Sequence, residues 1–231
     1  MKTLPVILYL AVFCLGAVAQ NPVPLNQALK QNLKASGEYY AWSAGPSKVN
    51  GSPYLAEEFS PGMIHWNLTW NEGIDLRYNI RQGTFEVRLE SGIILIDPLR
   101  NNIDTIKHEG EVFVRKYLEA GKEKLVLYLP LLGQQNGYAL FKQYIIKFTE
   151  AVTDTDLYNK AKPAEYKMQA PVYYVFMDNE YWEVKGSKTL AEIYQMDNKE
   201  VKAYLKDNKY KLSNEEDLLE AVLYFSENSL Q

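Results

Sequence analysis

The sequence predicts an α+β fold: an antiparallel β-meander sheet, partly curled, with a small three-helix segment at the C-terminal end packed on it. Three observations carry this. Apolar and polar residues alternate with a period of two from Met63 onward. Glycine-bearing turns separate the runs. Near the end the period lengthens and oxygen-bearing caps precede apolar stripes.

The first element is a leader. Lys2 supplies a positive charge, and Leu4 to Leu15 forms an apolar run broken only by Pro5. That is shorter than the roughly 20 apolar residues a membrane span requires. Ala17-Val18-Ala19 places small residues where a signal peptidase accepts them, so residues 1–19 read as a signal peptide cleaved between Ala19 and Gln20. Bulky Phe13 before Cys14 argues against lipid attachment. The only cysteine leaves with the leader, so the mature chain has no disulfide or thiol chemistry and depends on a packed core. The chain carries 25 Lys+Arg and 29 Asp+Glu. Loss of Lys2 leaves a net charge near −5, with lysines interspersed among acids, so no nucleic-acid partner is expected. After processing no transmembrane segment remains; Leu125 to Leu132, the longest apolar candidate, is too short and contains Pro130.

Residues 20–50 read as a weakly ordered or loosely docked N-terminal segment. Leu25, Leu29 and Leu33 nevertheless fall at four-residue steps on one helical stripe, consistent with a short docked helix.

Residues 51–185 form the predicted antiparallel β domain. Ile64, Trp66, Leu68 and Trp70 alternate with His65, Asn67 and Thr69. A turn is expected at Asn71-Glu72-Gly73, after which Ile74, Leu76, Tyr78 and Ile80 alternate with Asp75, Arg77 and Asn79. Phe85, Val87 and Leu89 continue the pattern, then Ile93 to Ile96 as a more buried strand. Successive side chains on a strand point to opposite faces, so one row faces a core and one faces water. Short connections imply antiparallel neighbours. Glu111 to Leu118, Lys124 to Leu132 and Tyr138 to Phe148 extend the meander.

Residues 186–231 read as three helices belonging to the same globular unit. Thr189, Asp197 and Ser213 are each followed three residues later by a glutamate, the reciprocal capping pattern. In the last helix Leu218, Leu219, Val222, Leu223 and Phe225 oppose Glu215, Glu216 and Glu220.

Gly51-Ser52-Pro53-Tyr54-Leu55 with Phe59 and Gly62, Leu76-Arg77-Tyr78-Asn79, and Tyr173-Tyr174 before the helical tail resemble uncharacterised secreted proteins of Bacteroidota over most of residues 50–228. The resemblance implies a periplasmic or cell-surface destination and brings no catalytic role to any residue.

Catalytic motifs are sparse. Ala41-Trp42-Ser43-Ala44-Gly45 imitates a nucleophile elbow, but Gly45-Pro46-Ser47 follows where a helix must begin. Only His65 and His108 exist, read as surface positions, and neither spacing nor thiols support zinc. Asp154, Asp156 and Glu165 fall near calcium-loop spacing, yet Tyr158 and Asn159 occupy the places of a ligand and the turn glycine, so no metal and no cofactor is expected. The positive feature is aromatic content, 18 tyrosines and 4 tryptophans. Trp66, Trp70, Tyr78 and Phe85 read as core or cross-strand pairs, while Tyr54, Tyr181 and Trp182 are the candidate binding residues. The sequence therefore points to an exported, non-catalytic envelope protein in the periplasm or at the cell surface, with a binding or structural role toward an envelope protein or glycan. The alternative is a carboxylate-based hydrolase such as a glycoside hydrolase, built from acids such as Glu57, Glu58, Asp97 and Asp104.

Overall fold

The structure, a computed structural model, describes residues 27–36, 49–120, 123–152 and 161–229. The leader with its Ala19/Gln20 junction, the 41–45 turn, Asp154 and Asp156 lie outside the described residues.

The α+β class is as the periodicity predicts. Strands β2 (Ser60–Trp66), β3 (Thr69–Asn79), β4 (Thr84–Leu89) and β5 (Gly92–Leu95) form one meander after the short β1 (Val49–Asn50). The chain then doubles back, and β6 (Thr105–His108) pairs with β2, not β5. From there β7 (Glu111–Ala120), β8 (Glu123–Gln135) and β9 (Tyr138–Gln143) form a second meander. Strands β12 (Val172–Met177) and β13 (Glu180–Glu183) complete it. The ten strands run in the order β13-β12-β9-β8-β7-β6-β2-β3-β4-β5, all antiparallel. The return is held by Asn101, which is fully buried: its side-chain oxygen accepts from the Asp97 amide at 2.7 Å and its nitrogen donates to Asn32.

Two local expectations change. The first hairpin turns at Asn67-Leu68, with φ of 48° and 61°, the left-handed pair that matches strand twist. Leu68 is therefore 93% exposed, off the apolar row. Asn71-Glu72-Gly73 lies inside β3, where Gly73 at φ 68° is the extra residue of a bulge opposite Gly62/Met63. Secondly, the stretch 138–148 is two strands. The chain leaves the large sheet after Gln143, and β10 (Ile146–Thr149) joins β11 (Ala164–Met168) and β1 in a small three-stranded sheet.

The large sheet curls without closing. The carbonyl of Gly83, in the β3–β4 turn, accepts from the Tyr128 amide of β8 at 2.8 Å, and the Tyr78 hydroxyl donates to the Tyr128 carbonyl at 2.8 Å. A Cβ at Gly83 would collide with the Leu127 side chain, so glycine permits this approach. Inside the curl, Tyr78, Phe85, Phe113 and Tyr128 form a fully or nearly fully buried core. Helix α1 (Gln27–Ser36) packs on it with Leu29 and Leu33 fully buried, as the four-residue step of the leucines anticipates.

The other half of the sheet is covered on one face by α2 (Ser187–Ile193), α3 (Asn198–Asp207) and α4 (Glu215–Asn228), which share a core with Leu140 and Val175. Their starts differ in part from the capping pattern. Helix α2 begins after Gly186 with no side-chain cap, so Thr189 lies inside it. Asp197 caps α3 as expected, accepting from the Lys199 amide. Asn214, one residue past Ser213, caps α4 by accepting from the Asp217 amide at 3.0 Å. Among the described residues no helix is long and apolar enough to cross a membrane.

Candidate functional site: an aromatic trough on the sheet face opposite the helices

Alternation along β9, β12 and β13 divides the side chains between two faces. Leu140, Val175 and Trp182 go under the helices, whereas Phe141, Tyr174, Phe176 and Tyr181 go to the opposite face. Phe176 and Tyr181 are direct partners in the β12–β13 register, with ring centroids 4.8 Å apart. Phe141 lies edge-on to Phe176 at 6.5 Å. In β8 the register slips between Leu131 and Gly133, making Leu132 the extra residue; Leu131 turns to the aromatic face and Leu132 to the helices.

Phe141, Phe176 and Leu131 floor a trough of about 430 Å³, within the range of roughly 300–1,000 Å³ common for small-ligand sites. Val114, Leu131, Phe141 and Phe176 are its apolar floor. Gln134 and Asn136, both exposed, stand at the rim. The Asn136-Gly137 turn, φ 50° and 85°, fixes the rim by closing the β8–β9 hairpin. Lys116 enters from β7, its ammonium 4.3 Å from the Phe176 ring centroid and 4.9 Å from that of Phe141. Burial lowers the pKa of this lysine below its ordinary value.

The three binding residues expected from sequence fall in three environments. Tyr181 borders the trough face. Trp182, its neighbour, points the other way and packs under the helices. Tyr54 belongs to a strap, residues 53–55, paired antiparallel alongside the end of β3; the Arg77 guanidinium lies over its ring at 3.6 Å and its hydroxyl donates to Glu86 at 2.9 Å. Glu86 is 2% exposed and also takes Arg77 and Asn79, so this stretch of the polar row is covered and does not face water.

Other polar clusters are also built for holding the fold. His108 is buried, contrary to its surface reading, because β6 pairs with β2 and brings it against Phe85 and Ser60. Ser60 Oγ lies 2.7 Å from His108 Nε2 and donates its one proton to Glu109 at 2.9 Å, so Nε2–H must donate to Oγ. That polarity is opposite to the one a serine nucleophile needs from its base. Lys142 binds Glu111 at 2.9 Å and Glu215 at 3.0 Å, while the Tyr144 hydroxyl donates to Glu111 and the Tyr173 hydroxyl to Glu215. Burial lowers the Lys142 pKa, but these oxygen partners outweigh it and hold it above the lysine norm; burial pushes Tyr144 up to about 12. The cluster ties the first turn of α4 to β7 and β9.

Of the acids named for a hydrolase, Asp97 accepts the Leu99 and Arg100 amides and Asp104 pairs with Arg115. Glu57 and Glu58 are exposed. Glu165 is exposed on β11, and no group of three or more metal-binding side chains occurs among the described residues. Comparison with protein-family models, curated proteins and solved structures gave no match. The trough residues Phe141 and Phe176 carry a weak sequence signal, the two-residue period of Tyr174, Phe176 and their neighbours. Lys116 carries none.

Proposed function

We propose that the protein is exported, is processed after Ala19, and acts at the cell envelope as a non-catalytic binding protein that takes its ligand in the trough above β7–β9 and β12. The observation that carries the reading is the trough itself: a concave apolar floor with one lysine and Gln134 at its rim, on the sheet face opposite the helices and reaching the β8–β9 turn, where Asn136 is tied to α4. Aromatic floors give large contact area at low entropic cost, and rim amides supply orientation. Binding asks for such a surface, whereas hydrolysis by paired acids asks for two free carboxylates across a cleft. Asp97, Asp104, Glu111 and Glu215 instead bind cations or turn amides.

The test is a screen of protein beginning at Gln20 against envelope glycans, peptidoglycan fragments, peptides and small amphiphiles, read by titration calorimetry and by product analysis. Saturable binding without turnover, weakened about tenfold or more by Phe176→Ser, is expected. Turnover that vanishes on Asp97→Asn or Glu111→Gln would replace this reading with the hydrolase.

A further inference from the structure

We infer that the trough takes an amphipathic carboxylate, its acid group on Lys116 and its apolar body on Phe176 and Leu131. This rests on the binding reading above and names the ligand's chemistry.

Arg77, Arg115 and Lys142, each with a well-buried side chain, all meet carboxylates. Lys116, half-buried in β7, pairs with no carboxylate among the described residues. Its ammonium rests on the faces of Phe141 and Phe176. Ring quadrupoles attract a cation but do not accept its N–H donors as an oxygen does. The ammonium is thus positioned beside the concave trough with donors to spare, and burial already weakens its hold on its proton. An incoming carboxylate supplies what every other buried cation here obtains from the chain.

The rest of the lining narrows the class. A single cation among the lining residues matches one negative charge; phosphate sites more often combine several donors from arginines or a helix N-terminus. The floor of Val114, Leu131, Phe141 and Phe176 requires an apolar body next to the acid. A neutral sugar stacking on an aromatic ring needs an open ring face, but Phe141 is 2% exposed and the Lys116 ammonium already sits over Phe176. Two sources share the remaining chemistry, an acyl chain and the C-terminal carboxylate of a peptide ending in an apolar residue.

Calorimetric titration of the purified protein with octanoate, octanamide, N-acetyl-Leu-Phe and its primary amide tests this directly. The expected result is that one of the two acids binds saturably and its amide binds about tenfold or more weakly, the acid that binds identifying the source. Lys116→Met, which keeps the apolar stem, should abolish the difference between acid and amide while leaving the melting temperature unchanged or raised. Equal binding of acid and amide, an acid preference surviving Lys116→Met, or no binding of either acid would each overturn the inference. In the first two cases, loss of binding in Phe176→Ser would leave the binding role of the trough standing. If no compound in the wider screen engages the trough, the binding reading fails as well.

Discussion

The Arg77 guanidinium lies over the ring of Tyr54, its central carbon 3.6 Å from the centroid, and both side chains bond the buried carboxylate of Glu86. The backbone reinforces the contact: the Leu55 amide donates to the Tyr78 carbonyl at 3.1 Å and the Ile80 amide to the Pro53 carbonyl at 2.9 Å. Gly51-Ser52-Pro53-Tyr54-Leu55 and Leu76-Arg77-Tyr78-Asn79, two separate motifs in the sequence, are thus one structural unit, a strap bound to β3.

This unit predicts an unequal pair of mutational effects. Glu86→Ala leaves the Arg77 guanidinium buried without its counter-ion and should cost about 3–5 kcal/mol. Tyr54→Phe removes one hydrogen bond and keeps the stacked ring, a loss of about 1 kcal/mol. Urea unfolding measures both; a Glu86→Ala loss no larger than that of Tyr54→Phe would show that the pair is not buried.

Gly133 and Leu219 give a coupled prediction. A Cβ on Gly133 would lie 2.6 Å from Leu219 Cδ1, the end of a half-buried side chain that can shift, so Gly133→Ala should cost about 1 kcal/mol, the low end for overpacking, at the α4–β8 contact. Leu219 is only half-buried, so Leu219→Ala should cost about 2 kcal/mol, near the low end for such truncations. In the double variant the new methyl occupies vacated space, and the losses should sum to less than the two singles. Additive losses would place Leu219 elsewhere.

Stability should fall as pH drops below about 6.5. Burial holds the His108 pKa below its ordinary 6.5, against the opposing pull of Glu109, so the folded protein protonates at lower pH than the unfolded chain. Between those two values the unfolded state binds more protons and gains on the folded one. His108→Gln should flatten that part of the profile, read as urea midpoints from about pH 7.5 to about 5.5. An unchanged slope in the variant would assign the pH response to other groups.

Processing is checked by intact mass. Protein isolated from its native envelope should lack residues 1–19 and begin at Gln20. Retention of Met1, or a lipid adduct on Cys14, would contradict the leader assignment.

What the sequence discloses follows from the range of the forces involved. Strand alternation at Ile74, Leu76 and Tyr78 and the cap at Asp197 depend on neighbours within a few residues, and both are visible locally. The pairing of β6 with β2 joins strands distant in sequence, across a return whose buried Asn101 is tied to α1, so neighbours within a few residues do not disclose it. That return is what buries His108. The candidate site was legible only at its border: Tyr181 packs beside the trough against Phe176, but its neighbour Trp182 is turned away by the same alternation, and Tyr54 serves the strap. Lys116 gains its meaning from rings on β9 and β12, brought near by strand order and by the one-residue bulge at Leu132.

On this reading, ligand enters the trough and leaves unchanged. Two-dimensional NMR of isotope-labelled protein, titrated with the tightest compound from the screen, reads both parts at once. The account predicts saturable shifts centred on Val114, Lys116, Leu131 and Phe176, with the compound recovered intact. Shifts centred on Ser60 and His108 or on Glu111 and Glu215, or conversion of the compound during the titration, would contradict it.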